Sequence, residues 1–137
     1  MKAQALAKLR YLRMSPRKAR LLIERISGMK TQEALAELAV SKKRAALPVL
    51  KLLKSAIANA THNASLDAKT LTVAKAFVDG GPILYRSTPR AHGRATPIRK
   101  RTSHITIVLE GEKKETKKQE IKKQETGNEN REPKSEI

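Results

Sequence analysis

The stretch GGPILYRSTPRAHGRATPIRKRT, residues 80–102, constrains this chain more than any other. It holds Gly80, Gly81, Gly93, Pro82, Pro89 and Pro97, and no acidic residue occurs between Asp79 and Glu110. Past Tyr85 its only large apolar side chain is Ile98. Such a segment has nothing to bury against a core, yet two β-rich runs bracket it. TLTVAKAFVD (70–79) precedes it, and SHITIVLE (103–110) follows, alternating Ile105, Ile107 and Leu109 with Thr106 and Val108. The two runs read as an antiparallel pair, so the residues between them make a long hairpin, about 80–103. If Phe77 pairs near Ile107, the turn falls around Ala91–Gly93. Each arm then has about 14 residues and reaches about 45 Å at ~3.3 Å per residue. A lone two-stranded ribbon is marginal in water. A basic one of this length makes sense when a polyanion orders it.

The charge distribution agrees. The chain of 137 residues carries 30 Lys and Arg against 13 Asp and Glu, a net +17. Residues 1–111 hold 22 of the basic residues and six acids, net +16; residues 112–137 hold eight and seven, net +1. The domain is therefore read as 1–111, with 112–137 a Lys/Glu-rich tail. That tail has only Ile121 and Ile137 as large apolar residues and cannot offset its ordering entropy, so it reads as disordered. Residues 86–101 use five Arg and one Lys, whereas the tail uses seven Lys and one Arg. Arginine offers a flat fork of donors suited to phosphate; lysine is a hydrated point charge. The functional charge thus belongs to the folded part.

The remaining elements are an N-terminal segment and three helices. Ala3, Ala5, Ala7, Leu9 and Tyr11 alternate with mostly polar neighbours and favour a strand over 2–13, although the Ala and Leu content also allows a helix. Ser15-Pro16 fits a helix start, with Ala19, Leu22, Ile23 and Ile26 on one face and Gly28 as terminator. A short helix fits 31–40, with Thr31 as cap and Leu35, Leu38 and Ala39 inward. A longer one fits roughly 42–61, with Ala46, Val49, Leu50, Leu53, Ile57 and Ala60 as its stripe. Pro48 falls inside that span and predicts a kink or a late start. Helices beside a small sheet make an α+β domain.

Several function classes are disfavoured. Without cysteine there are no disulfides, thiol nucleophiles or Cys-ligated zinc, which fits a reducing compartment. No apolar run of about 18 residues offers a membrane span. Residues 1–23 are basic and acid-free like a transit peptide, but they lack an apolar core and run straight into a well-formed helix. His62, His92 and His104 are too scattered for a metal site; His62 reads as a helix end, and His104 as either structural or RNA-facing. A Ser87/His92/Asp79 triad can be drawn, but a flexible ribbon cannot hold catalytic geometry. Neither an enzyme, a metal, a cofactor nor a small-molecule substrate is expected. With three aromatic residues in all, base-stacking platforms are not expected either.

Three blocks carry a family resemblance: Arg13-Met14-Ser15 with Lys18 and Arg20-Leu21, closing at ISGMK (26–30); SAIANATHN (55–63); and FVDGGP (77–82), Arg86, PRAHGRA (89–95), Ile98 and KRTSHITIV (100–108). Over about residues 5–110 the chain resembles the universal large-subunit ribosomal protein family L-twenty-two. The resemblance implies an α+β fold with a three-stranded antiparallel sheet, three helices and a long protruding β-hairpin. It implies a cytoplasmic ribosomal protein that binds large-subunit ribosomal RNA, supports assembly beside neighbouring ribosomal proteins and extends its hairpin to the peptide exit tunnel. By the same resemblance, Arg86, Arg90, Arg94, Arg99, Lys100 and Arg101 would contact RNA along the hairpin. Arg13, Ser15, Lys18 and Arg20 would do so from the globular part. Ala91, His92 and Gly93 would form a tunnel-facing tip in transient contact with nascent peptide. The alternative from another class is a DNA-bending nucleoid architectural protein, which also combines helices, a small sheet and long basic arms.

Overall fold

The computed structural model describes residues 2–113. Strand β1 spans Lys2–Leu12, and helices α1, α2 and α3 span Pro16–Ile26, Thr31–Val40 and Ala46–His62. Strands β2 (Thr72–Gly80), β3 (Leu84–Pro89), β4 (Ala95–Lys100) and β5 (Ser103–Glu112) follow, with one 3-10 turn at Ala91–Gly93. The fold is α+β. β1, β5 and β2 form an antiparallel sheet in that order, and β3 and β4 form a separate ribbon. The ambiguous N-terminal segment is a strand because β5 gives it a partner along nearly its whole length.

All three helices lie on one face of the sheet. α3 packs on β1 and β5, α1 on β2, and α2 on α3. The alternation of β5 sends Ile105, Ile107 and Leu109 into the core, where they are fully buried with Ile23, Ile26, Val49 and Leu53. Each such side chain contributes about 1.5–3 kcal/mol relative to exposure. Ala5 and Ala7 of β1, opposite Leu109 and Ile107, are small enough for α3 to approach closely. Asn59 on α3 donates its side-chain amide to the Leu6 carbonyl at 3.1 Å, fixing that contact.

Pro16 opens α1 after Ser15, whose carbonyl accepts the Lys18 and Ala19 amides while its hydroxyl makes no cap bond. Gly28 sits past the end of α1 at φ 81°, and its N–H donates to the Val73 carbonyl at 2.8 Å. Thr31 is not the α2 cap; Lys30 holds that position, and Thr31 is buried as the first helical residue. Ala34 and Leu38 share its face, which turns Ala39 to solvent, against expectation. In α3 the buried stripe is Ala46, Val49, Leu52, Leu53, Ala56 and Ala60, while Leu50 and Ile57 are half-buried. Contact with both the sheet and α2 widens that stripe. Pro48 is accommodated by the late start: it lies in the first turn, where its missing N–H would have had no intrahelical acceptor.

The strand register differs by one residue from the assumed pairing. Phe77 faces Thr106, and Ala76 faces Ile107, because a bulge lies between Val73 and Lys75. Glu112 completes β5, and Lys113 makes an isolated bridge with Leu66. The rest of the 112–137 tail lies outside the described residues.

Candidate nucleic-acid interface

The ribbon pairs Leu84 with Lys100, Tyr85 with Arg99, Arg86 with Ile98, Ser87 with Pro97, Thr88 with Thr96 and Pro89 with Ala95. Directly opposed residues share a face. Arg86 and Lys100 therefore point to one side and Arg99 to the other. The turn closes where the sequence predicts, at Ala91–Gly93, with the Arg90 N–H donating to the Arg94 carbonyl at 2.7 Å. His92 and Gly93 both take left-handed conformations, φ 59° and 67°. Arg90 and Arg94 flank that turn. The tip residues Ala91, His92 and Gly93 and all six ribbon cations are exposed.

Charge on this ribbon has no internal counterpart. Among the described residues the only ion pair is Arg25 with Glu37, 2.8 Å apart, on the helices. The backbone fold of the ribbon gives the six cations no shared pocket; it spaces them along both sides of a rod. Such an array can neutralise phosphates without reading bases. Among the described residues no three His, Cys, Asp or Glu side chains gather where they could hold a metal ion.

The root is more tightly built than the arms. The Gly81 N–H donates to the Thr102 carbonyl at 2.9 Å, and Thr102 Oγ1 donates to the Pro82 carbonyl at 2.6 Å. A Cβ on Gly81 would fall on Thr102 Oγ1 and 3.2 Å from His104 Nε2. His104 Nδ1 accepts the Tyr11 N–H at 2.9 Å, and the two rings meet edge to face at 4.8 Å. Tyr11 itself holds φ 57°, a conformation costly for a bulky residue. Arg10 lies over its ring at 5.8 Å.

Of the globular residues Arg13, Ser15, Lys18 and Arg20, the two arginines bond to backbone at the base of the ribbon. Arg13 Nη1 donates to the Arg101 carbonyl at 3.1 Å, and Arg20 Nε and Nη2 donate to the Val78 carbonyl at 3.3 and 3.1 Å. Both arginines therefore brace the strands that carry the ribbon. Lys18 is exposed and Ser15 half-buried. The contributions of Tyr11, Gly81, Thr102 and His104 escaped the sequence reading. The doubled glycine was the one available signal, and only the fold brings residues 11 and 81 to residue 104.

Comparison with known proteins gives this geometry a lineage. Residues 7–110 match the model of the family described as ribosomal protein L22p/L17e. A protein of Desulforamulus reducens named large ribosomal subunit protein uL22 is 50% identical over 113 residues, covering 82% of this chain and 98% of that protein. Proteins of the same name from Magnetococcus marinus and Crocosphaera subtropica are each 53% identical, over 106 and 107 residues. These alignments cover 77% and 78% of this chain and 94% and 88% of those proteins. With the ribbon, its root and most of the sheet inside the matched span, the chain belongs to the ribosomal protein L22p/L17e family.

Proposed function

We propose that the chain is a structural constituent of the large ribosomal subunit that docks on its ribosomal RNA through the ribbon. The observation that carries this reading is the acid-free 86–101 segment, its six cations all exposed, inside a span matched to a ribosomal family. Arg86, Arg90, Arg94, Arg99, Lys100 and Arg101 are the ribbon contacts to phosphate. Lys18 and Ser15 make contacts from the body, and Arg13 and Arg20 combine bracing with RNA contact, since a guanidinium has five N–H donors. On this reading the protein works in the cytoplasm within the ribosome, supports subunit assembly beside neighbouring ribosomal proteins, and lines the peptide exit tunnel with Ala91, His92 and Gly93. Its role is binding and positioning rather than catalysis.

The test is salt-dependent binding of the full chain to large-subunit ribosomal RNA, with a photocrosslinker at position 92 in purified particles. Neutralising one ribbon arginine to Gln is expected to lower the slope of log affinity against log salt by about 0.7–0.9. Position 92 is expected to crosslink within the large subunit. Unchanged slopes, or crosslinks to duplex DNA with none to ribosomal RNA, overturn the proposal in favour of a DNA-bending protein.

A further inference from the structure

The helices cover one face of the three-stranded sheet and leave the other open. On the open face, Val108 of β5 is flanked by Lys75 on β2 and Leu6 on β1, and Thr106 by Phe77 on β2 and Lys8 on β1. Asp79 pairs with His104, with Arg10 next to it across a concavity of about 280 Å³ whose wall also includes Lys8 and Thr106. Phe77 is the chain's one phenylalanine, and it stands 46% exposed on this surface, on the edge strand β2. Strands about 4.8 Å apart place Lys8 about 10 Å from it, across β5.

We infer that this open face is a second RNA-contact surface, taking an unpaired nucleotide with its base against Phe77 and its phosphates against Lys8, Arg10 and Lys75. The inference rests on the RNA-docking reading above and extends it from the ribbon to the sheet. An aromatic plane flanked by cations is what sequence-tolerant single-strand binders present. The cores of protein–protein interfaces are depleted in charge; here the apolar residues Leu6, Phe77 and Val108 are interrupted by Lys8, Lys75 and Thr106. Of the three carboxylates on the face, Glu110 accepts the Gln4 side-chain amide at 2.6 Å, Glu112 stands at the far end opposite Lys2, and Asp79 lies beside His104. The surface also continues into the ribbon. His104, fixed by the Tyr11 N–H, borders Gly81 at the ribbon root, so a strand leaving the arms meets the sheet next. Scarcity of aromatics argues against an extended stacking platform, but a single nucleotide needs only one ring.

The experiment compares the full chain with Phe77→Leu, Phe77→Trp and an Arg86→Gln/Arg90→Gln/Arg94→Gln variant, using a twelve-nucleotide oligouridylate and large-subunit ribosomal RNA as probes. Phe77→Leu is expected to weaken oligouridylate binding about 5- to 100-fold with its salt slope unchanged, while Phe77→Trp retains binding. A photoreactive residue at position 77 in assembled particles is expected to crosslink to RNA. Parental binding by Phe77→Leu, or crosslinks from position 77 to protein or to nothing, overturns the inference. An unchanged salt slope in the triple arginine variant instead overturns the docking reading. Circular dichroism separates both from a folding defect, because Phe77 is outside the core.

Discussion

Two adjacent glycines at the ribbon root are expected to respond oppositely to the same substitution. At Gly80 an added Cβ meets nothing within 4 Å. Its φ lies outside the left-handed range, so Gly80→Ala should stabilise by about 0.4–1 kcal/mol through the unfolded chain. At Gly81 the Cβ falls on Thr102 Oγ1 and presses the His104 ring at 3.2 and 3.3 Å. Thr102 cannot yield freely, being 4% exposed and bonded to the Pro82 carbonyl. Either it rotates and forfeits a bond worth about 0.5–1.5 kcal/mol, or the root shifts at an overpacking cost of about 1–3 kcal/mol. The two alanine variants should therefore differ by about 1–3 kcal/mol, which is about 4–20 °C in Tm for a domain of this size. Thermal and urea unfolding of the purified chain measure it. Adding Thr102→Ala to Gly81→Ala should cost less than the sum of the single effects, since it removes the colliding oxygen. Equal stability of the two glycine variants, or strict additivity in the double variant, refutes the steric argument.

Two further outcomes follow from backbone conformation. His92→Val places a β-branched residue at φ 59° and should destabilise the turn by about 1–2 kcal/mol, whereas His92→Gly should not; local hydrogen exchange around 90–94 reads the difference. Pro48→Ala should lower stability by about 0.4–1 kcal/mol, because a first-turn proline stiffens the unfolded chain; a gain of about 3 kcal/mol in denaturant unfolding would show instead that the proline breaks the helix.

Much of this molecule was legible in its residues. Period-two alternation in 103–110 and period-3.6 spacing in 16–26 each report a single buried face, and both elements formed as read. The ribbon over 80–102 and its tip at 91–93 were legible because a Gly/Pro-punctuated segment with a single large apolar residue past Tyr85 has no competing use. What failed depends on neighbours that are distant in sequence. Ala39 was placed inward because its own helix cannot show which side faces α3. Phe77 was paired one residue off because the Val73/Lys75 bulge leaves no mark of its own in the sequence. The bracing bonds of Arg13 and Arg20 were hidden because nothing local reveals that the Arg101 and Val78 carbonyls stand within their reach.

The order of strands sets when this protein can fold during its synthesis. β5 is the only partner of both β1 and β2 within the three-stranded sheet, and it is the last strand described. Gln4 must wait for Glu110, 106 residues later, before their side chains can bond. Until Ser103–Glu112 leaves the synthesis machinery, neither edge strand has a partner, and the apolar faces of α1 and α3 have no sheet to cover. The ribbon faces no such delay, since its pairs lie sixteen residues apart or fewer, and such local contacts close faster than distant ones. The basic arm can therefore meet its polyanion while the body behind it is still unfinished, and the body then closes in one late step.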